Sequence, residues 1–340
     1  MGIDGLNKAL SELKDENIFV KIHHKCFRGC SVAIDANNYF NRIQSIVVEK
    51  NSECLNLKTG IYNPTVIRRE LVFETLSFIK GWYDRGVKPI FVFDGEAPEM
   101  KLGTQLKRVS SKISYQEKRD KLLERINKGL IMSSTIESEL RKYCKYSVSF
   151  NRSSAAEVSL LLRDIGVPCL RATKEAEKLC CMLARQKYVT LVYSNDTDCL
   201  LYDGCNYVIT DIRYPHYYCT QRREILRSTN LSIEQFKILC IVMGCDYNEG
   251  STVFSKALKI AQNADPESEA TKIGKDNDKL KIKLCLKEFE TEKVSTLTDK
   301  TFSSQISVVV PDRNTFDSVG LSNSYDGYIK ILNIFLLETN

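Results

Sequence analysis

Short apolar runs rich in β-branched and aromatic residues recur along the chain and predict buried strands. Each run is four or five residues long and is bounded by polar or turn-forming residues. Continuous runs of this kind are typical of strands that are covered on both faces of a sheet. We therefore expect strands at 31–34, 89–93, 167–170, 189–193 and 207–210.

Apolar residues with helical spacing fill most of the intervals between these runs. We expect helices from Thr65 to Gly86, from Ser153 or Ser154 onward, from Thr173 to Lys187, and from a capping box of Ser232 and Gln235 to Gly244. Parallel strands need long, usually helical crossovers. The alternation therefore predicts an α/β fold, with a mostly parallel sheet flanked by helices.

The stretch 101–150 interrupts this alternation. It is polar, has helical spacing and contains no strand-like run, which predicts a helical insertion projecting from the sheet. We divide the chain accordingly into regions 1–105, 106–150, 151–262 and 263–340. The last region has the weakest pattern.

The composition is that of an ordinary globular protein. The chain has 340 residues, of which 43% are hydrophobic and 27% charged. Its apolar runs fall well short of the roughly 18 residues of a membrane span, and its first residues lack the basic and apolar segments of a secretory signal. We therefore expect a soluble protein that acts inside a cell, without a membrane partner.

The 13 cysteines are scattered and odd in number, which favours buried thiols over a disulfide framework. Cys26 and Cys30 lie close to His23 and His24 and raise the alternative of a zinc site. Their spacing is loose and no second cysteine pair follows, so ordinary structural use is the favoured interpretation.

Positive charge is concentrated in the predicted insertion. The net charge of the chain is +6, and residues 101–145 contain twelve basic side chains against five acidic ones. Such a patch attracts phosphate backbones. The alternative is a solvated helix with i,i+4 pairs such as Glu117 with Lys121. Charge alone leaves both interpretations open.

Acidic residues follow one predicted strand after another. Ligands of open α/β sheets bind outside the carboxyl ends of the strands, so these acids should meet at one edge. Each acid alone has an ordinary alternative as a turn residue, helix cap or solvent-facing side chain, and their conjunction favours a shared site. The acids are Asp35, Asp94, Glu175, Glu177, Asp196 and Asp198, and Asp246 follows the fourth helix.

Divalent cations would relieve the repulsion within such a cluster. Carboxylates are preferred ligands of Mg²⁺ and Mn²⁺, and two ions about 3.5–4 Å apart can stabilise the attacking and leaving oxygens of a phosphodiester. The three histidines lie outside the acidic set, which disfavours a histidine base or a zinc hydrolase, and the sequence lacks the usual nucleotide-binding loops. An acidic metal site with a basic insertion predicts metal-dependent cleavage of nucleic acid.

The motifs around these acids resemble those of the flap endonuclease and XPG-type structure-specific 5′ nucleases. The resemblance covers about residues 1–260, and seven acidic positions in the family's order make it more specific than any single motif. The similar segments are MGIDGL (1–6), VAIDA (32–36), FVFDGEAP (91–98), EAE (175–177), NDTDCL (195–200) and GCDY (244–247).

The resemblance implies a role for each acid and for two cations. Asp35, Asp94, Glu175 and Glu177 would hold one Mg²⁺, and Asp196 and Asp198, with Asp246 directly or through water, would hold a second, with Mn²⁺ as a substitute. Lys101 and Arg108 would steer the scissile phosphate and stabilise developing charge. Their i,i+7 spacing puts them on one face of a helix, and surface solubility is the alternative for this pair.

The resemblance also implies contacts with DNA. Residues 106–150 resemble a helical arch that threads a single-stranded 5′ end, and Gly2 would lie close to the active site once Met1 is removed. The tyrosines Tyr115, Tyr143 and Tyr146 would either stack on bases or pack within the arch. The phosphate contacts would come from Lys107, Lys112, Lys118, Arg119, Lys256 and Lys259.

Two features depart from the family pattern. The stretch 248–256 lacks the Gly-x-Gly of the family's helix-hairpin-helix turn, which puts its potassium site in doubt, and 331–340 lacks a sliding-clamp peptide. A compact, divergent member is implied, acting as a monomer on branched or 5′-flap DNA. A viral origin is one option. The compartment would be the nucleus or, for a viral protein, the host nucleus or a cytoplasmic replication site.

The implied function is structure-specific 5′ endonuclease activity in DNA replication or repair, with 5′–3′ exonuclease activity in addition. One alternative is a 5′–3′ exonuclease that prefers RNA or nicked DNA. The other is a catalytically silent nucleic-acid-binding protein on the same fold, which the presence of all seven acids disfavours.

Overall fold

The computed structural model describes residues 2–148, 152–205, 207–272 and 279–290. The strands are β1 (Phe19–His23), β2 (Ser31–Asp35), β3 (Leu55–Asn56), β4 (Ile61–Tyr62), β5 (Lys88–Phe93), β6 (Cys169–Arg171), β7 (Leu191–Tyr193), β8 (Tyr207–Arg213) and β9 (His216–Gln221). The α-helices are α1 (Leu6–Glu12), α2 (Ala36–Lys50), α3 (Pro64–Asp84), α4 (Leu102–Asn127), α5 (Ser134–Ser147), α6 (Arg152–Asp164), α7 (Ala176–Arg185), α8 (Arg222–Thr229), α9 (Ile233–Met243), α10 (Phe254–Ala261), α11 (Pro266–Thr271) and α12 (Lys279–Glu288). Short 3₁₀ turns cover His24–Phe27, Ser52–Cys54, Glu99–Lys101 and Thr197–Leu201.

The chain divides into two compact units. The sheet unit contains the described residues of 1–38, 85–101 and 168–306, and the helical unit contains those of 39–84 and 102–167. The boundaries predicted from the sequence for four regions stay predictions.

A seven-stranded sheet forms the centre of the sheet unit, in the order β1-β9-β8-β7-β2-β5-β6. Strands β6, β5, β2, β7 and β8 run parallel, whereas β9 is antiparallel to its neighbours β8 and β1. The predicted fold class, an α/β fold with a mostly parallel sheet flanked by helices, is confirmed.

The central strands lie where the apolar runs predicted them. β2 and β5 reproduce the predictions at 31–34 and 89–93 to within a residue, because both are buried from the second residue onward and only Asp35 among these buried residues is not apolar. β6 and β7 begin two residues later than predicted. Val167 and Val189, which open those apolar runs, are buried in the preceding loops instead.

Strands β1 and β9 have no counterpart among the predicted strands. β1 is an edge strand whose residues are all at least partly exposed, so its sequence FVKIH carries lysine and histidine and lacks a continuous apolar run. β9 mixes polar and aromatic residues in HYYCTQ. The antiparallel pairing of β1 with β9 joins segments about 200 residues apart, which no local pattern reveals.

The predicted helices are present with small shifts at their ends. The capping box of Ser232 and Gln235 opens α9 as predicted, and Gly244 follows its last turn. α7 is shorter than predicted, because Glu175 has an extended backbone and stands before the first turn. Nearly every residue of α9 from Phe236 onward is buried, so this helix forms part of the core of the sheet unit.

The helical unit has a smaller core of its own. The two long helices α4 and α5 agree with the helical character predicted for 101–150, and 102–148, which the structure describes throughout, contains no strand. Its buried apolar residues come from α2, α4, α5 and the β3–β4 hairpin. They are Val48, Leu55, Tyr62, Leu122, Leu123, Leu140 and Cys144.

The C-terminal region is described only in part. α11 and α12 fall in the predicted region 263–340, whereas 273–278 and 291–340 lie outside the described residues. Across the described residues, no helix combines the length and the apolar character that crossing a bilayer requires.

Candidate active site

The first two acids stand at the ends of neighbouring parallel strands. Asp35 is the last residue of β2 and pairs in register with Val92 of β5, and Asp94 follows β5 directly. Asp35 Oδ1 accepts a hydrogen bond of 3.1 Å from the backbone N–H of Asn38, so the start of α2 holds this carboxylate.

The next two acids are carried by the start of α7. Glu175 stands immediately before the helix and Glu177 lies in its first turn. Asp94 Oδ1 accepts a hydrogen bond of 2.9 Å from the backbone N–H of Ala176. This bond ties the end of β5 to the start of α7 and brings three acids of the predicted set together.

Asp196 and Asp198 occupy the 3₁₀ turn that follows β7. Asp196 Oδ1 caps this turn by accepting from the backbone N–H of Asp198 at 3.2 Å. The hydroxyl of Ser194 donates to Asp35 Oδ2 at 3.0 Å and accepts from the backbone N–H of Asp196 at 3.1 Å. One serine thus links the carboxylate edge of β2 to the turn after β7.

Asp246 completes the set through an ion pair with Lys101. The ammonium group of Lys101 lies 2.9 Å from Asp246 Oδ2 and 2.5 Å from Glu175 Oε2. Lys101 is the last residue of the Glu99–Lys101 turn and is buried. Arg108 lies within α4, which begins at the residue after Lys101, and a shared action of Lys101 and Arg108 on one phosphate stays a prediction.

Burial raises the pKa values of five of the acids, Asp35, Glu175, Glu177, Asp196 and Asp198. The pKa of Asp35 rises to about 8 through its burial and through the nearby charges of Asp94 and Asp196. Burial also holds the pKa values of Glu177 and Asp198 well above their usual range. Charge repulsion within the cluster adds to burial, so the site takes up protons when no cation is bound.

Lys101 stays positively charged in this environment. Its burial lowers its pKa, but the carboxylates of Glu177, Glu175 and Asp246 outweigh that effect and raise the pKa above its ordinary value. In return, the ammonium group opposes the upward shift that burial imposes on the pKa of Glu175. The lysine is thus the internal counter-ion of the acidic set.

The donor groups fit divalent cations. Oε1 of Glu177 and both carboxylate oxygens of Asp198 are buried without a hydrogen-bond partner, and oxygen ligands of this kind suit Mg²⁺ or Mn²⁺. No three His, Cys, Asp or Glu side chains in the described part of the chain are already arranged around one point. The ammonium group of Lys101 engages two of the predicted donors, Glu175 and Asp246.

Gly2 lies against the turn that carries Asp196. Its φ is +91°, and a Cβ atom there would collide with Asp196 Oδ1 and the hydroxyl of Thr197. The next residue, Ile3, donates its backbone N–H to Thr197 Oγ1 at 2.7 Å. The N-terminal segment therefore packs directly on the acidic set, where the sequence placed Gly2.

The predicted phosphate-binding residues occupy both units. Lys256 and Lys259 are exposed on α10 of the sheet unit. The others lie on α4 of the helical unit, where Arg108 is exposed. They are Lys107 and Lys118, which are exposed, and Lys112 and Arg119, which are partly buried.

The predicted tyrosines cluster within the helical unit. Tyr115 stacks on Tyr146 with 4.9 Å between ring centroids and lies 6.3 Å from Tyr143. The ammonium group of Lys118 is 5.4 Å from the Tyr115 ring. These contacts correspond to the packing alternative, and base stacking stays a prediction.

Sequence reasoning missed the polar residues that support the acids. Asn38 holds Asp35 and also accepts the backbone N–H of Asn195 at 3.3 Å through its side chain, while Ser194 bridges two acids. Thr197 holds the N-terminal segment. All of them stand within three residues of a predicted acid, which is the signal that could have identified them.

Two family models match the chain. The XPG N-terminal domain matches residues 1–115, and the XPG I-region matches residues 166–246. Together they cover more than half of the chain. The chain belongs to the XPG family of nucleases. The matches to this family include all seven predicted acids, with Asp35 and Asp94 in the first range and the other five in the second.

Curated relatives of this XPG-family chain are flap endonucleases. Flap endonuclease 1-B of Sorghum bicolor is 31% identical over 278 residues, and flap endonuclease 1 of Entamoeba dispar is 31% identical over 253 residues. Each match covers 73% of this chain and 62% of the relative. The chain thus spans less than two thirds of the length of these relatives.

Solved structures of the family share the fold. Flap endonuclease-1 from Methanococcus jannaschii superposes with a TM-score of 0.64 at 19% identity, covering 95% of this chain and 97% of that structure. The catalytic core of Rad2 in complex with a DNA substrate superposes with a TM-score of 0.57 at 16% identity, covering 98% and 100%. At these identities the likeness establishes the α/β architecture.

Proposed function

We propose that this chain is a Mg²⁺-dependent, structure-specific 5′ endonuclease of the flap endonuclease type that hydrolyses phosphodiester bonds in branched DNA, with 5′–3′ exonuclease activity in addition. The observation that carries the proposal is the acidic set at one edge of the sheet, six of whose seven members are buried and two of which pair with the buried Lys101. The names of the curated relatives support a 5′ flap as the preferred branch. The nucleus, where replication and repair supply such DNA, is the proposed compartment.

The proposed division of the ligands follows the family resemblance. Asp35, Asp94, Glu175 and Glu177 would hold one Mg²⁺, and Asp196, Asp198 and Asp246 a second, with Mn²⁺ as a substitute. Bound there, the two ions would activate water and stabilise the leaving oxygen. The unpartnered oxygens of Glu177 and Asp198 support this assignment, because they are free to bind a cation without breaking a hydrogen bond.

We expect Lys101 to change its partner when bound metal ions neutralise the charge of the acids. Its ammonium group, no longer required by Glu175 and Asp246, would bind the substrate phosphate and stabilise negative charge in the transition state. Arg108 would share this role. Along the strand, Lys107, Lys112, Lys118, Arg119, Lys256 and Lys259 would bind the phosphate backbone without reading sequence.

A matched pair of substitutions tests the proposal. Glu177→Gln removes the charge of a buried carboxylate in the first turn of α7, and Glu234→Gln does the same to an exposed one in the first turn of α9. We expect Glu177→Gln to reduce Mg²⁺-dependent cleavage of a 5′-flap substrate by about 100-fold or more and Glu234→Gln to leave the rate unchanged. The measurement is the initial cleavage rate with Mg²⁺ or EDTA.

The substrate panel separates the proposed function from its alternatives. Nicked, single-stranded and RNA-containing substrates are tested under the same conditions. Faster cleavage of the RNA-containing or nicked substrate than of the flap would favour the exonuclease. Binding of the flap without cleavage of any substrate would identify a silent nucleic-acid-binding protein. Cleavage that persists in EDTA would remove the metal from the proposal.

A further inference from the structure

The three histidines of the chain form one cluster on the sheet unit. The rings of His23 and His24 stack with 4.6 Å between centroids, and His216 meets His23 edge-on at 5.4 Å. The ring of Tyr214 stacks on His24 at 5.4 Å. Tyr214 is 71% exposed, so the outer member of this stack faces solvent.

Strand pairing explains why these residues meet. His23 and His216 are partners at the end of the β1–β9 ladder, and the backbone N–H of His24 donates to the carbonyl of Pro215 at 3.0 Å. The β8–β9 turn carries Tyr214. The cluster is therefore fixed by backbone hydrogen bonds and is not a chance approach of long side chains.

The cluster is separate from the acidic set. The guanidinium group of Arg85 lies 5.4 Å from the centre of the Tyr214 ring, and Arg85 precedes β5. Asp94 follows the opposite end of β5. A strand of the length of β5 spans about 20 Å, so the histidine cluster and the acidic set lie near opposite ends of this strand.

Basic groups surround the histidines. Partial burial and the positive charges of neighbouring groups lower the pKa values of His24 and His216. The nearest carboxylates along the chain are engaged elsewhere, since Asp211 pairs with Arg213 and Asp84 with Lys80. The charged and titratable groups that face the cluster are Lys21 and His23 from β1, His24 and Lys25 from the following turn, His216 from β9, and Arg85.

The hydrogen bonding of the rings favours an anionic ligand over a metal ion. His23 Nδ1 accepts the backbone N–H of Lys25 at 3.2 Å, so the neutral ring carries its proton on Nε2, the nitrogen that would otherwise bind a metal. His24 Nδ1 is buried without a hydrogen-bond partner, so this nitrogen is closed to a metal ion that arrives from solvent. The surrounding cations repel a metal and attract a phosphate.

We propose that this surface, formed by His23, His24, Tyr214, His216, Lys21, Lys25 and Arg85, is a second nucleic-acid contact that binds an unpaired strand outside the acidic site. Tyr214 stacks on a base, and the basic side chains bind the flanking phosphates. This contact deepens the proposed function and rests on it, because it gives a branched substrate a second attachment point.

The contact strengthens as the pH falls. A bound phosphate favours the protonated form of each nearby histidine, so binding takes up protons and the histidine pKa values rise in the complex. Neutral histidines at about pH 8 leave only the lysines and Arg85 to hold the strand. Protonated histidines at about pH 6 add to their charge.

Histidine NMR tests this contact directly, because every histidine signal of the chain comes from the cluster. The full-length protein, labelled only in its histidine rings, is titrated with pH in EDTA, alone and with a short single-stranded oligonucleotide at saturation. We expect the oligonucleotide to raise the titration midpoints of His24 and His216 by about 1 pH unit. Inorganic phosphate at the same phosphate concentration should raise them less, because it offers neither a base nor adjoining phosphates.

Variants of exposed residues complete the test. Tyr214→Ala should weaken oligonucleotide binding at about pH 6 roughly tenfold and reduce the histidine shifts, whereas Tyr207→Ala, an exposed tyrosine at the other end of β8, should do neither. Lys25→Gln is a second variant, which removes a basic side chain of the proposed surface and lies outside the β8–β9 turn. It should also weaken oligonucleotide binding at about pH 6. Unmoved histidine midpoints at saturation would overturn the contact, as would an equal shift with inorganic phosphate or a larger response to Zn²⁺.

Mg²⁺-dependent cleavage of a 5′-flap substrate, measured without EDTA on the same protein preparation, separates this contact from the proposed function. Mg²⁺-dependent cleavage with unmoved histidine signals would keep the nuclease and overturn the contact. Moved histidine signals without any cleavage would keep the contact and overturn the nuclease.

Discussion

Lys101 occupies the acidic set as a built-in cation. Its ammonium group pairs with Glu175 and Asp246, and the residue as a whole is only 6% exposed. Without that charge, several carboxylates would face one another in a medium of low dielectric constant. The lysine therefore stabilises the acidic set, and under the proposed ligation it would compete with a metal ion for the same two carboxylates.

Lys101→Met should separate these two effects. We expect the free energy of unfolding in EDTA to fall by about 3–5 kcal/mol, because buried carboxylates lose their partner. Mg²⁺ should then raise the Tm of the variant by more than it raises that of the wild type, because the competing cation is gone. Thermal melts with EDTA and with Mg²⁺ measure both quantities.

Lys237→Met is the matched control. Lys237 is also 6% exposed, but its pair with Asp203 is long, at 3.8 Å, and neither partner belongs to the acidic set. This variant should lose stability and keep the wild-type response to Mg²⁺. An equal Mg²⁺ response in all three proteins would refute the competition.

Two glycines near the N-terminus offer a second test at the scale of single residues. Gly2 and Gly5 both have positive φ, at +91° and +69°, but a Cβ atom would collide with Asp196 and Thr197 only at Gly2 and would meet nothing within 4 Å at Gly5. We expect both alanine variants to lose about 1–2 kcal/mol of stability through backbone strain. Gly2→Ala should also slow cleavage by up to about 100-fold, because it displaces Asp196.

Urea unfolding measures the loss of stability, and initial cleavage rates measure the effect of displacing Asp196. Gly5→Ala should keep the wild-type rate despite its strain. Equal cleavage rates in the two variants would mean that the approach of Gly2 to Asp196 has no part in catalysis.

At the scale of elements, the sequence was informative where local pattern and burial coincide. β2, β5 and α9 each contain a buried apolar run, and each run is followed closely by an acid of the predicted set. The acids at the ends of neighbouring parallel strands could therefore be predicted to converge. β1 and β9 could not be predicted in this way, because their pairing joins segments that are far apart in the chain.

The contacts of the site that the sequence did not predict also join residues that are far apart in the chain. The ion pair of Lys101 with Glu175 joins residues 74 positions apart, and the bond of Ile3 to Thr197 joins residues 194 positions apart. Neither contact leaves a local trace in hydrophobic periodicity. The histidine cluster was missed for this reason also, because it depends on the β1–β9 ladder.

The capping box of α9 allows a test of an element apart from the chemistry. Ser232 Oγ accepts the backbone N–H of Gln235 at 3.2 Å, and Gln235 Oε1 accepts the backbone N–H of Ser232 at 2.9 Å. Ser232→Ala should lower the free energy of unfolding by about 1 kcal/mol, and Ser232→Thr should largely restore it. Denaturant curves measure the change. The cleavage rate per folded molecule should stay constant, and a reduced rate would show that α9 positions Asp246 through its first turn.

At the scale of the whole molecule, the acidic set couples stability to pH and to metal. The pKa of Asp35 is about 8 in the folded protein, against an ordinary value of 3.8 that applies to the unfolded chain. The folded state therefore binds more protons than the unfolded state. The stability that this group contributes is complete below about pH 4 and is lost as the pH rises through about 8.

We expect the Tm in EDTA to fall as the pH rises from about 6 to about 9. The Tm gain on adding Mg²⁺ should increase over the same range, because the cation binds ionised carboxylates and competes with fewer protons. Thermal melts at constant ionic strength measure both trends. Asp35→Asn should make the fall of the Tm in EDTA with rising pH smaller. A wild-type Tm in EDTA that rises across this range would contradict the raised pKa of Asp35.

The distribution of the acids along the chain also sets an order of events during synthesis. Asp35 emerges from the ribosome early and Asp246 last of the set, and the backbone N–H of Asp4 donates to the carbonyl of Gly244 at 3.1 Å. The first turn of the protein therefore reaches its final place only after a residue 240 positions later has been made. Contacts between such distant segments are slow to form. A nascent chain that has not yet reached Asp246 lacks one of the seven acids, so under the proposed function it would not yet carry a complete set of metal ligands.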